Sequence, residues 1–121
     1  MVQIKLKRVY EEPEQADGIR IFVDRLWPRG MKKGAFHYDV WAKEITPSSH
    51  LRSWFHEEPE GRWDEFASLY KKELGGSDEV KAFVESIRHY SVVTLLYASK
   101  NREHNHAIIL KDFLSSILNK G

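Results

Sequence analysis

The sequence predicts an α/β fold: a three-layer sandwich with a short, mainly parallel sheet and helices on both faces. Two observations carry this expectation. Val92-Val93-Thr94-Leu95-Leu96-Tyr97-Ala98 is a nearly unbroken apolar run of strand length, as expected of a central parallel strand buried on both faces. The segments before and after it place apolar residues at spacings of three and four, the pattern of helices with one core-facing stripe. Strand, polar loop and helix in that order make the unit on which the fold is built.

At the N-terminus, Val2, Ile4, Leu6 and Val9 alternate with Gln3, Lys5, Lys7 and Arg8, a period-two pattern for an opening strand near an edge of the sheet. Glu11 to Gly18 is acidic, contains Pro13 and ends in Asp17-Gly18, so it reads as a surface loop. Ile19-Arg20-Ile21-Phe22-Val23-Asp24 is a strand that runs into Trp27-Pro28-Arg29-Gly30, where proline forbids further pairing. Tyr38 to Ile45 carries a weak signal that fits either an extended or a helical segment. Thr46-Pro47-Ser48-Ser49 marks a helix entry, since a hydroxyl can cap orphan N–H groups and proline suits the first turn. A short helix through Phe55 follows.

Trp63, Phe66, Ala67, Tyr70 and Leu74 form the apolar stripe of a second helix ending at Gly75-Gly76. Ser77-Asp78-Glu79 opens a third with a cap and an acidic first turn, and Val80, Phe83, Val84 and Ile87 give it a core face. Beyond the buried strand, Ala107, Ile108, Leu110, Phe113, Leu114, Ile117 and Leu118 follow the helical repeat and close the chain. Residues 1–121 read as a single domain, with no internal repeat and no linker.

Composition excludes several classes. The 19 Lys and Arg against 18 Asp and Glu leave a net charge of +1, which provides no global field for nucleic acid or an anionic membrane. There is no cysteine, which removes disulfides, thiolate catalysis and cysteine-ligated metals. The N-terminus lacks the apolar core of a signal peptide, and no stretch approaches a membrane span. A cytoplasmic location is expected, with no membrane partner. Nor is there a G-x-S-x-G elbow, a Walker loop or a G-x-G-x-x-G fingerprint, and no cofactor is expected.

In open α/β sheets, ligands bind where strands end and helix N-termini point inward. Two loops qualify. Asp24-Arg25-Leu26-Trp27-Pro28-Arg29-Gly30 sets two guanidinium groups around a rigid turn, a residue type suited to paired hydrogen bonds with phosphate or carboxylate. Its competing reading is structural, with Asp24 and Arg25 in ion pairs and Trp27 in the core. The second loop, Ser99 to His106, is wholly polar and leads into the last helix; Asn101 or Ser99 could cap that helix, leaving Lys100, Arg102, Asn105 and His106 near its positive end. His104 and His106 lack evident third and fourth ligands, so no metal site is assigned. A third group, Arg52, Trp54, Phe55 and His56 with Arg62 and Trp63, reads first as packing with outward-reaching arginines, and second as an aromatic wall with Arg52 reaching a phosphate. Asp24 is the best candidate base, although the adjacent Arg25 would weaken it.

The motifs Asp17-Gly18-x-Arg20, Val23-Asp24-Arg25-Leu26-Trp27-Pro28-Arg29-Gly30, Trp41-x-Lys43-Glu44-Ile45-x-Pro47-Ser48, Leu51-Arg52-x-Trp54-Phe55-His56, Thr94-Leu95-Leu96-Tyr97 and Asn105-His106-Ala107 resemble those of the small bacterial YeaO-like proteins. These form a family catalogued as domain of unknown function number 488. The resemblance spans nearly the whole chain and brings no established activity with it. It implies that Asp24, Arg25, Arg29, Lys43, Arg52, Asn105 and His106 converge on one face. Longer relatives carry a Cys-containing loop and a Cys-His pair after the buried strand, where this chain has Tyr97 and Asn105-His106; no thiol or metal role carries over.

The expected function is binding of a phosphorylated or nucleotide-like anionic small molecule. Arg25, Arg29 and Arg52 would clamp the anion, Lys43 and Asn105 would assist, and His106 and Asp24 are the candidate acid and base. These residues do not decide between an enzyme and a sensor. The alternative is a non-catalytic protein or nucleic-acid interaction module, which would spread the same residues over a flat or convex face.

Overall fold

The computed structural model describes residues 2–119. Four strands, β1 (Gln3–Arg8), β2 (Ile19–Phe22), β3 (Val40–Trp41) and β4 (Val92–Tyr97), form one sheet in the order β1-β4-β2-β3, with all pairings parallel. Strand β4 pairs along its full length with β1, from Gln3 opposite Val92 to Arg8 opposite Tyr97. On its other side Ile19 to Phe22 lie opposite Val93 to Leu96. Val93 to Leu96 are wholly inaccessible, which is why the segment lacks the polar alternation seen in the edge strand β1.

The helices are α1 (Ser49–Glu57), α2 (Pro59–Gly75), α3 (Asp78–Ile87) and α4 (His106–Leu118). Each starts near a signal visible in its sequence. Ser77 Oγ accepts from Val80 N–H at the head of α3, and Pro59 occupies the first turn of α2. Ser48 stands at the N-cap of α1 but does not cap it; its hydroxyl and N–H both donate to the Glu73 carboxylate on α2 at 2.6 and 3.0 Å.

All four helices join one core cluster with Ile4, Ile21, Val23, Val93, Leu95 and Tyr97, the residues that point to one face of their strands. The opposite face is covered by a second cluster, Val9, Phe22, Phe36 and Leu96, against which Trp27, Met31, Trp41 and Ala98 pack. The helical element on that side is a 3₁₀ turn at Gln15–Asp17, whose Asp17 carbonyl accepts from Thr94 Oγ1 at 2.6 Å. Strand order accounts for this division. The short β1–β2 and β2–β3 crossovers run one way across the sheet and the helical β3–β4 return runs the other, so right-handed connections place them on opposite faces.

Two segments differ from their reading as sequence. The stretch 11–18 is not merely a surface loop, because Asp17 is fully buried and Gly18 carries the chain across the start of β4 with φ 65°. The ambiguous stretch 38–45 is both extended and helical, a two-residue strand followed by a 3₁₀ turn at Lys43–Ile45. The Tyr70 hydroxyl on α2 donates to the Ile45 carbonyl and ties that turn to the helical layer.

Candidate functional site

Parallel pairing sends the carboxyl ends of β1, β2 and β4 to the same edge of the sheet, where the connecting loops surround a cleft of about 930 Å³. Five arginine and lysine side chains line it, namely Arg8, Arg25, Arg29, Arg52 and Lys100, against one carboxylate, Asp24.

The wall built by the sheet side is a chain of contacts. Arg8, the last residue of β1, donates through Nε to the Ser99 carbonyl at 2.9 Å and through Nη2 to the Ala98 carbonyl at 3.0 Å. Its guanidinium lies 4.9 Å from the centre of the Tyr10 ring, and the Tyr10 hydroxyl donates to the Arg29 carbonyl at 2.8 Å. The facing wall comes from α1 and the loop before α4. Arg52 and His56 stand four residues apart, on one side of the helix, and Phe55 and His104 also line the cleft. Burial, and after it the charges of Arg52 and His106, push the His56 pKa below its ordinary value, so the imidazole is neutral at neutral pH.

The floor is Asp24 and His106. Asp24 Oδ2 accepts from the Ala98 N–H at 3.0 Å, which joins the ends of β2 and β4. Its buried Oδ1 lies 3.2 Å from His106 Nε2, which is also 2.7 Å from the Val23 carbonyl oxygen. A carbonyl only accepts, so Nε2 carries the proton and donates it to Val23, while Asp24 Oδ1 stands beside it without a hydrogen-bond donor of its own. Beside this pair, Arg25 reaches the Pro47 carbonyl at 3.5 Å, the outer limit of a hydrogen bond, and its buried Nε has no partner. A buried guanidinium donor without an acceptor is costly, so the Arg25 side of the cleft is short of an acceptor.

Sequence comparison with known proteins places the chain in a family. The family described as "Inactive DUF488-N3 subclade" (DUF488-N3i) matches residues 3–121. The chain belongs to that family. It is also 45% identical over 116 residues to the "Uncharacterized protein YeaO" of Escherichia coli (strain K12), covering 96% of this chain and 100% of the other. Uncharacterized proteins of Mycobacterium bovis and Mycobacterium tuberculosis are 39% identical over 113 residues, covering 93% of this chain and 94% of theirs. No solved structure gives a significant match. The YeaO-like resemblance is therefore shown over the whole chain, and the DUF488-N3i description includes no activity for it to carry.

Of the seven residues expected to converge on one face, six border the cleft of this DUF488-N3i chain: Asp24, Arg25, Arg29, Arg52, Asn105 and His106. Lys43 does not. Its ammonium sits 4.0 Å from the centre of the Trp41 ring, outside the lining. Asn105 borders the cleft with its side chain already engaged: it is 3% exposed, Oδ1 accepts from the Ile108 N–H at 3.1 Å, and Nδ2 donates to the Asn101 carbonyl at 2.8 Å. Asn105, rather than Asn101 or Ser99, is the cap of α4. Asn101 instead shapes the preceding loop, accepting from Glu103 and His104 N–H groups. Arg102 pairs with Glu11 at 3.6 Å and lies outside the lining. Of the Arg52 group, Trp54 and Trp63 pack against the core and Arg62 lies over Trp54, while Arg52 turns to the cleft.

Arg8, Tyr10 and the ring of His104 escaped the sequence reading as site residues. The available signal for Arg8 was its place as the last residue of an opening strand, which in a parallel sheet is the ligand edge. His104 and His106 are not part of a metal cluster; among the described residues no group of three or more His, Cys, Asp or Glu side chains could hold an ion. Among the described residues, too, no helix is long and apolar enough to cross a membrane.

Proposed function

We propose that this chain is a binding protein for a phosphorylated or nucleotide-like small anion, held in the cleft without being chemically transformed. The observation that carries the reading is the imbalance of the lining, five arginine and lysine side chains to one carboxylate in a chain whose net charge is only +1. Clustered like charges repel, and a concave, partly desolvated site strengthens that repulsion until an anion enters. The unpartnered Nε of Arg25 supports the same reading, because a ligand oxygen would complete its hydrogen bonding. Three features favour binding over catalysis. The DUF488-N3i family is described as inactive, the chain has no cysteine, and Asp24 Oδ2 and His106 Nε2 are each hydrogen-bonded to backbone groups that hold the cleft floor. A flat interaction module accounts less well for these residues, since they line a concavity of small-molecule size.

The test is a thermal-shift titration with pyrophosphate, sugar phosphates and nucleotides on the wild type and on Arg29→Ala. Arg29 is exposed, so its loss does not lower the unliganded melting temperature. The wild type gains stability as RT ln(1+[L]/Kd), about 2.7 kcal/mol at a hundred-fold excess over Kd. The variant binds roughly 10- to 100-fold more weakly, the loss expected for one charge-assisted contact. A flat response of the wild type at millimolar ligand rejects this function.

A further inference from the structure

We propose that the anion taken by this cleft is a nucleoside diphosphate, with its base stacked on His104 and its phosphates against Arg8 and Arg29. This rests on the preceding reading and adds a division of labour between the two walls. Arg8, Tyr10 and Arg29 are linked through the contacts already described, and Arg8 also grips the Ala98 and Ser99 carbonyls beside Lys100. Two guanidinium groups and a nearby ammonium on one side suit more than one phosphate charge, which a single carboxylate ligand would leave uncompensated.

The other side is planar. The His104 imidazole lies on the Trp63 indole with ring centres 4.5 Å apart and planes 19° apart. His104 borders the cleft and Trp63 does not, so the indole backs the imidazole from outside. Trp63 is itself held against Phe55 and Phe66, at 5.9 and 6.2 Å between ring centres. From the backbone side, Asn101 Oδ1 accepts the His104 N–H at 2.8 Å. A ring fixed in this way presents its area to a ligand without having to be ordered first, which is the requirement for a stacking platform. The cleft volume of about 930 Å³ lies at the upper end for small-molecule sites and exceeds what a diphosphate alone would occupy. His104 thus takes a part that neither a metal site nor an acid–base pair would require of it.

Isothermal titration of the full chain with ADP, UDP and pyrophosphate tests this. At least one nucleotide binds roughly ten-fold or more tightly than pyrophosphate, the gain expected from one stacked base. His104→Ala reduces that nucleotide to the affinity of pyrophosphate and leaves pyrophosphate binding as in the wild type. His104→Phe, which keeps a planar ring, retains the difference. Equal affinities for the nucleotides and pyrophosphate in the wild type would overturn the base subsite while the anion-binding reading stands. Equal weakening of both ligand types in His104→Ala would do the same; if none of the three binds, the nucleoside diphosphate is overturned, and the response to sugar phosphates in the thermal-shift titration decides the anion-binding reading.

Discussion

Gly18 turns the chain from the buried Asp17 into β2 at φ 65°, and a Cβ built on it would stand 2.2 Å from the Val92 carbonyl oxygen. Backbone at the head of the central strand cannot retreat as a flexible side chain could. Gly18→Ala therefore loses more than the ~1–3 kcal/mol that an unfavourable backbone conformation costs by itself, read as a lower urea midpoint with an unchanged slope. Gly30→Ala is the control: its φ is 78°, but nothing lies within 4 Å of the added carbon, so it costs about 1 kcal/mol. A loss for Gly18→Ala no larger than for Gly30→Ala would show that the close approach to Val92 is not what demands glycine. The Asp-Gly pair is readable in the sequence as a turn. The carbonyl above which it turns is supplied by residue 92, far along the chain, and no local pattern reveals it.

Helix α4 illustrates how one element serves both stability and the cleft. Ala107, Leu110, Leu114 and Leu118 bury its core side, at ~1.5–3 kcal/mol for each large side chain, and this periodicity was legible without a structure. The same holds for α2, α3 and β4. Its beginning was less legible, because Ser99, Asn101 and Asn105 are all competent caps and only the fold selects Asn105. Asn105→Ala is expected to cost about 0.5–2 kcal/mol for the cap, with a further loss because the Asn101 carbonyl loses its donor. Asn105→Asp retains the Oδ1 acceptor for Ile108 and lies between the two. Hydrogen exchange at Ile108 and across 99–105 should report the loosening; unchanged protection in Asn105→Ala would exclude a capping role. Strand β3 was ambiguous for a different reason, since two residues are too few to display a period.

The elements are joined across the face opposite the four α-helices by a buried ionic network. Asp17 pairs with Arg20 of β2 and, at 3.1 Å, with Lys7 of β1, while its carbonyl accepts from Thr94 of β4. Arg20 extends the network to the His37 carbonyl at 2.8 Å, and its N–H donates to Asp39 ahead of β3. Burial raises the Asp17 carboxyl pKa, but the Glu14 backbone N–H, Lys7 and Arg20 together outweigh burial and hold it below 3.8. The unfolded chain thus binds the proton first as acid is added; this contribution to stability is complete above about pH 3.8 and is lost as pH falls through the folded value. Asp17→Asn should remove that acid dependence and lower stability at pH 7 by ~3–5 kcal/mol, since Arg20 loses its buried counter-charge and Lys7 keeps only the exposed Glu14. Urea unfolding from pH 7 to pH 3 checks both, and a wild-type profile matched by the variant would show that the network does not carry the effect. By itself the sequence determined the α/β class, the central strand, the helices and most of the cleft arginines, because periodicity, caps and residue chemistry are local properties. Only the tertiary structure decided that Asp17 and Arg20 are buried structural ions, that Lys43 turns to Trp41, and that Arg8 and His104 meet the cleft. Those outcomes depend on which distant backbone and side-chain groups parallel pairing brings together, and a linear pattern does not encode its partners.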